Sequence, residues 1–282
     1  THTSGLPREL GAAPRNTPHF TFPDTRTRWR WLPNQRLRST PGTAALYSNV
    51  AFDFLSDALQ SATHKQYAAL LAERTLNPLH MQDTTFFPTP DQCAHLLIGA
   101  HDQGPCTVTE ATAGSSGLYS TATDMATWLK YLLGPGAPGF AQDASAQAAY
   151  ILPANLVRQQ GLDHAGEPTG VGLGWIHILP LDSPSHIIEK TGGGAGFSTY
   201  IAINHARRTA IFVAATDGPI DTHLNLFNAA NKLLLAVAGL PPLPPPPPKP
   251  APKRKYRHQA PVIHAVQTAE GHGFTRAAKA TK

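Results

Sequence analysis

The chain has 282 residues, 41% of them hydrophobic, which is enough to bury the core of one or two domains. Its formal charge of +5 suggests a polyanionic partner, but eight Lys or Arg and only one acidic residue fall in residues 241–282. The first 240 residues are slightly acidic, which excludes a nucleic-acid-binding body, and the longest apolar run, 233–240, is too short to span a bilayer.

In chain order, Ser48 caps a helical pattern with apolar residues at Val50, Phe54, Leu55, Ala58 and Leu59, and a second helix is expected over 66–75. Cys93 and Cys106 sit among the loop signals Pro88, Pro90 and Gly104-Pro105. Their spacing suits one disulfide closing a short loop, which implies an oxidising compartment; the alternative is two unrelated buried thiols. Thr121 followed by Asp124 reads as a capping box opening a helix over 125–133, and 142–160 reads as a weaker helix broken by Pro153. Segments 172–179, 186–190, 197–204 and 209–215 read as successive antiparallel strands. A last helix over 223–238 stops at Gly239-Leu240-Pro241. Helices thus precede a strand meander, which gives an α+β fold: an antiparallel sheet flanked by helices, with a mostly helical subdomain. Residues 1–240 are expected to form this body. From 241 the run of prolines predicts an extended spacer of roughly 3 Å per residue, and the cluster Lys253-Arg254-Lys255-Tyr256-Arg257 makes 241–282 a basic disordered tail. Such a tail can settle on an anionic envelope surface or offer a proline-rich ligand.

Two stretches carry chemistry. Lys190-Thr191-Gly192-Gly193-Gly194, inside an expected β-hairpin, offers a charge, a hydroxyl and backbone N–H groups with no Cβ in the way, an arrangement suited to an anionic acyl substrate. Taken alone it is equally a glycine-rich hairpin turn with a chance lysine. Tyr47-Ser48-Asn49 lies at a loop-to-helix transition. A tyrosine beside a lysine can serve as a general base, and an asparagine amide can bind a substrate amide through donor and acceptor together. Alone, this triplet reads as a core aromatic and a helix-start residue.

Together, Tyr-x-Asn and a later Lys-Thr-Gly on a strand resemble two of the three active-site signatures of the serine β-lactamase and penicillin-binding-protein superfamily. Thr1-His2-Thr3-Ser4-Gly5-Leu6-Pro7, Pro41-Gly42, the stretch Asn77-Pro78-Leu79-His80-Met81-Gln82-Asp83-Thr84, Gly117-Leu118-Tyr119-Ser120-Thr121, and Gly172-Leu173-Gly174-Trp175 are similar to further family segments. The resemblance covers residues 1 to about 240, and the glycine run and cysteine pair favour the AmpH-type D-alanyl-D-alanine carboxypeptidase and endopeptidase branch of the class C β-lactamase-like proteins. It implies a β-lactamase/transpeptidase-like fold truncated at its N-terminus, a periplasmic or secreted location, no cofactor and no metal. It also implies roles: Tyr47 as the base that activates a serine, Asn49 on the substrate amide, Lys190 and Thr191 on the substrate carboxylate, Gly193 N–H as half of an oxyanion hole, with Gly192 and Gly194 keeping the strand edge accessible.

The third signature, Ser-x-x-Lys, is missing at all twelve serines. Thr127-Trp128-Leu129-Lys130 imitates it within a helix whose family counterpart is structural, and Gly114-Ser115-Ser116-Gly117 imitates a nucleophile elbow with no strand before it. The resemblance places the serine upstream of Thr1. This chain alone is therefore expected to be inactive and aggregation-prone, with one sheet edge unpaired. The expected substrates of the whole protein are D-Ala-D-Ala peptides of peptidoglycan, then β-lactams, then esters. A non-catalytic peptidoglycan-binding module is the reading from another class.

Overall fold

Five strands follow one another as an antiparallel meander in the computed structural model, which describes residues 1–100, 103–134, 145–162, 164–216 and 225–243. They are β3 (Pro168–Val171), β4 (Ile176–Ile178), β5 (Ile187–Gly194), β6 (Phe197–Asn204) and β7 (Thr209–Thr216), ordered as in the sequence. The run Tyr200-Ile201-Ala202-Ile203 in β6 is apolar at every position, as a strand buried on both faces requires. Tyr200 and Ala202 face a core completed by Ala230, Leu234 and Leu235 of the C-terminal helix α6 (Leu226–Val237). Ile201 and Ile203 face Leu129 and Leu132 of α5 (Ala122–Leu133) on the other side. The result is helix, sheet, helix. The outer edge of β7 pairs with no strand among the described residues.

The helical part comprises α1 (Thr25–Trp31), α2 (Asn49–Thr63), α3 (Tyr67–Leu71) continued by a π-turn at Ala72–Leu76, and α4 (Pro90–Ala94). Ser48 caps α2, its Oγ accepting from Ala51 N at 3.0 Å. Arg28 of α1 reaches Asp57 of α2 through two hydrogen bonds, Nε to Oδ2 at 3.1 Å and Nη2 to Oδ1 at 2.7 Å, and both side chains are buried. Its Nη1 donates to the carbonyls of Pro23 and Ala111, so this buried charge is satisfied on every side and joins three segments. Cys93 and Cys106 form a disulfide with Cα atoms 5.8 Å apart. Closing a loop of that length stabilises the folded state by about 3 kcal/mol.

The described residues lie in one compact unit, Thr1–Leu243. The basic part of the expected tail, 244–282, lies outside the described residues, as do 142–144, 223 and 224 of two expected helices. No helix among the described residues is long and apolar enough to cross a membrane.

Four sequence expectations need correction. Of the expected helix over 142–160, only Ser145 and Ala146 are helical among the described residues. After a short turn, a 3₁₀ turn at Pro153–Asn155 leads into β2 (Arg158–Gln160), which pairs in parallel with β1 (Ala44–Leu46). Segment 172–179 is not one strand, because Gly172 N donates to Trp175 O and Gly174 takes φ +84°, a turn that separates β3 from β4. The expected capping box is one-sided. Thr121 Oγ1 accepts from Asp124 N, but the Asp124 carboxylate is taken by Thr84 Oγ1 at 2.7 Å and Asp83 N at 3.0 Å. Finally, the glycines after Lys190 do not make the hairpin turn. β5 runs through Gly194, and the chain reverses at Ala195-Gly196, where φ is +53° and +77°.

Candidate active site

Two short elements bring the two signature stretches together. Tyr47 follows β1 directly, and its N–H donates to Gln160 O of β2 at 3.0 Å, so the β1–β2 pair fixes its backbone. Lys190 sits at the fourth position of β5, and its Nζ lies 3.5 Å from Tyr47 Oη and 4.9 Å from the ring centroid. The same Nζ donates to Thr191 O at 2.8 Å. One ammonium therefore bridges the phenol and the strand.

The strand edge beside it is open for a structural reason. β4 has only three residues and pairs with Ile187 to Glu189, whereas β6 pairs with β5 through Gly194. Beyond Glu189, β5 has no strand on the β4 side among the described residues. Backbone groups along that edge are free to meet an extended ligand. The three glycines differ in what they permit. At Gly193 a Cβ would meet only ordinary contact, its nearest neighbour being Phe197 O at 3.7 Å, whereas at Gly192 it would run into the Thr199 hydroxyl. Gly194 has φ +144°, and the Phe20 ring stands 2.7 Å from where its Cβ would be.

Asn49 is placed by the first turn of α2, two residues from Tyr47, and its Nδ2 donates to Glu9 Oε1 at 2.6 Å. Three residues that sequence reasoning passed over complete the surroundings of Tyr47. The Arg8 guanidinium lies 4.7 Å over the ring, and the imidazole of His2 stacks on it at 4.3 Å. His2 is buried, and its Nδ1 accepts from Ser48 N at 3.1 Å, which assigns the proton to Nε2. Burial first, and then the charge of Lys190, push its pKa down to about 3, so the ring beside Tyr47 is neutral at physiological pH. The third residue is Glu9. All three follow from how residues 1–9 pack on α2. The adjacent charges Arg8-Glu9 were the visible signal.

The two imitations of a nucleophile are structural. Lys130 is exposed on α5, and Gly114 packs so tightly on α2 that a Cβ would collide with the Phe52 carbonyl. A hollow of about 320 Å³ lined by Gln159, Gln160, Gly161, Leu162, Glu167 and Pro168 includes none of the expected site residues. Among the described residues no group of three or more His, Cys, Asp or Glu is placed to hold a metal ion.

The arrangement can bind a carboxylate at Lys190, exchange a proton at Tyr47 and hold an extended backbone along β5. A family model described as Beta-lactamase matches residues 1–235. The D-alanyl-D-alanine-carboxypeptidase/endopeptidase AmpH of Escherichia coli strain K12 is 38% identical over 244 residues, covering 86% of this chain. Those residues span 63% of AmpH, so the chain matches less than two thirds of that relative's length. Among solved structures, the β-lactamase/D-alanine carboxypeptidase of Yersinia pestis complexed with citrate superposes with a TM-score of 0.77 at 39% identity, covering 84% of this chain and 67% of that one. A class C β-lactamase in complex with cefoxitin shares the fold, with a TM-score of 0.62 at 19% identity over 84% of this chain and 69% of its own.

Proposed function

This chain belongs to the β-lactamase family, and from that premise we propose that it is the larger part of a serine hydrolase acting on peptidoglycan D-Ala-D-Ala peptides through an acyl-serine intermediate. The observation that carries this reading is Lys190 Nζ within 3.5 Å of Tyr47 Oη at the open edge of β5. In the proposed reaction Tyr47 takes the proton of the attacking serine and returns it to the leaving amine. Lys190 and Thr191 bind the carboxylate that a C-terminal D-alanine carries. The N–H of Gly193 supplies half of the oxyanion hole, Gly192 and Gly194 keep the strand approachable, and Asn49 orients the substrate amide. The serine comes from sequence outside residues 1–282. Two facts support that placement: the absence of Ser-x-x-Lys from this sequence and the 63% coverage of AmpH. The disulfide and the peptide substrate fit a periplasmic or secreted location.

β-Lactam hydrolysis is the second reading, favoured by the 39% identity to the β-lactamase/D-alanine carboxypeptidase of Yersinia pestis. The two are separated by assaying the full-length protein for D-alanine release from a muropeptide and for nitrocefin hydrolysis. The peptidase reading expects multiple turnovers on the muropeptide and a stoichiometric burst with nitrocefin. Steady nitrocefin turnover without D-alanine release makes it a β-lactamase, and neither reaction leaves a binding module.

A further inference from the structure

The loop closed by the Cys93–Cys106 disulfide has two firm ends and one inner contact. At one end Cys93 lies in α4, whose start is fixed by a reciprocal capping box between Thr89 and Gln92. At the other, the Tyr119 hydroxyl accepts from Thr107 N at 3.3 Å and donates to Thr107 O at 3.1 Å. Between the ends Leu97 and Ile98 are exposed, and Gly99 is the only buried residue of the loop among the described residues. What buries Gly99 is the turn between β5 and β6. Ala100 N donates to Gly196 O at 3.0 Å, and a Cβ on Gly99 would stand 2.5 Å from Ala195 O and 2.9 Å from the Phe197 ring. Gly99 N in turn donates to Gln103 Oε1 at 2.7 Å, which keeps the inner contact in shape.

That turn is a place where support matters. Four of the five residues from Gly192 to Gly196 are glycine, the freest backbone a chain can have, and the pairing of β5 with β4 stops at Glu189. Beyond that point β5 is held by β6 on one side, by the Phe20 ring against Gly194, and through the turn by Gly99 and Ala100. Opening the disulfide lengthens the free span of the loop, whose entropy then opposes the contact with the turn. With no fully buried side chain among its described residues, the loop has little else to keep it in place.

We propose that the disulfide-closed loop is a brace for the β5–β6 turn, with Gly99, Ala100 and the Cys93–Cys106 pair acting as positioning residues for the N–H of Gly193. This rests on the reading of Gly193 as half of an oxyanion hole. Removing such a donor outright slows the chemical step about 10²- to 10³-fold, so a donor that stays in place but is held loosely costs about tenfold. Carboxylate binding at Lys190 survives the loss of the brace. Lys190 follows directly on the stretch of β5 that pairs with β4, and its Nζ is tied to Thr191 O.

The test uses full-length protein in two forms: the double variant Cys93→Ala with Cys106→Ala, which removes the closure, and Gly99→Ala, which keeps the disulfide and pushes the loop off the turn. Both are expected to lower the limiting rate of acylation by a labelled penicillin about tenfold and to leave the half-saturating concentration within about twofold. Peptide-level amide hydrogen exchange is expected to speed up selectively over 192–199 in both. A disulfide that only stabilises the fold would lower the melting temperature of the double variant and leave Gly99→Ala at the parent's rate. Either variant acylating within about twofold of the parent, a loss in saturation alone, or unchanged exchange over 192–199 would each overturn the proposal. If the double variant fails to fold, Gly99→Ala decides. Should the unmutated protein fail to acylate at all, the acyl-serine reading falls; faster exchange over 192–199 then upholds the brace, and unchanged exchange overturns it.

Discussion

Replacing Tyr47 with phenylalanine in the full-length protein is expected to slow acylation by a labelled penicillin about 10²- to 10⁴-fold, the range contributed by a positioned proton-transfer group. The substitution keeps the ring that stacks on His2 at 4.3 Å and lies beneath Arg8, so it removes one oxygen and leaves the packing intact. That oxygen is what Lys190 Nζ faces at 3.5 Å. Lys190→Ala tests the same contact from the other side. It removes the cation proposed to bind the substrate carboxylate, and its loss is expected mainly in saturation by carboxylate-bearing substrates. Fluorescence of the labelled protein on a gel reads both rates, and the melting temperature of Tyr47→Phe should stay within a few degrees of the parent. A Tyr47→Phe protein that acylates within about threefold of the parent contradicts the assignment of Tyr47 as the proton-transfer group.

Glu189→Gln is expected to abolish a large dependence of stability on pH. Strand alternation puts Glu189 on the face of β5 opposite Lys190, between Ile176 of β4 and Ala202 of β6. It is 1% exposed, and its Oε2 finds no hydrogen-bond partner among the described residues. Nearby on that face, Tyr200 donates to Asn231 Oδ1 at 2.8 Å, and Asn231 donates to Ala165 O. Burial raises the Glu189 pKa to about 8, against the opposing pull of Lys190. Below about pH 4.5 the carboxyl is protonated in folded and unfolded chains alike. Between there and pH 8 only the folded chain keeps the proton, so stability falls as pH rises across that window. At about 1.4 kcal/mol per pKa unit, the full span is on the order of 5 kcal/mol. His2 and His177, whose burial lowers their pKa values to about 3 and about 4, act with the opposite sign below pH 6.5. They do so equally in parent and variant, so the difference between the two isolates Glu189. Denaturant melts at pH 5 and pH 8 should show the variant gaining several kcal/mol on the parent at the higher pH. An unchanged difference between the two proteins would mean that Glu189 is ionised or solvated in the folded chain.

What could be read from the sequence was what short-range chemistry decides. β6 is rich in β-branched and aromatic residues and was legible to the residue, and α2 announced itself through Ser48 and its apolar spacing. The pairing of Tyr47 with Lys190 was legible as well, through motif order, although 143 positions separate them. Residues 147–160 misled because β2 is three residues long and exists by pairing with β1, a tertiary contact that leaves no period in the sequence. The Asp124 carboxylate was misassigned for a related reason: Thr84, forty residues away, claims it in place of the helix start. Arg8, Glu9 and His2 acquire their places from the packing of residues 1–9 on α2, and no local rule predicts that His2 would stack on Tyr47.

Tyr47, Lys190 and the open edge of β5 are proposed to form one wall of an acyl-serine site. Peptide-level mass spectrometry of the full-length protein after exposure to a penicillin tests it most directly. The expected result is a single covalent adduct on the serine of a Ser-x-x-Lys sequence outside residues 1–282, strongly reduced in Tyr47→Phe. An adduct on a serine within these residues, such as Ser115 or Ser116, or no adduct at all, would contradict it.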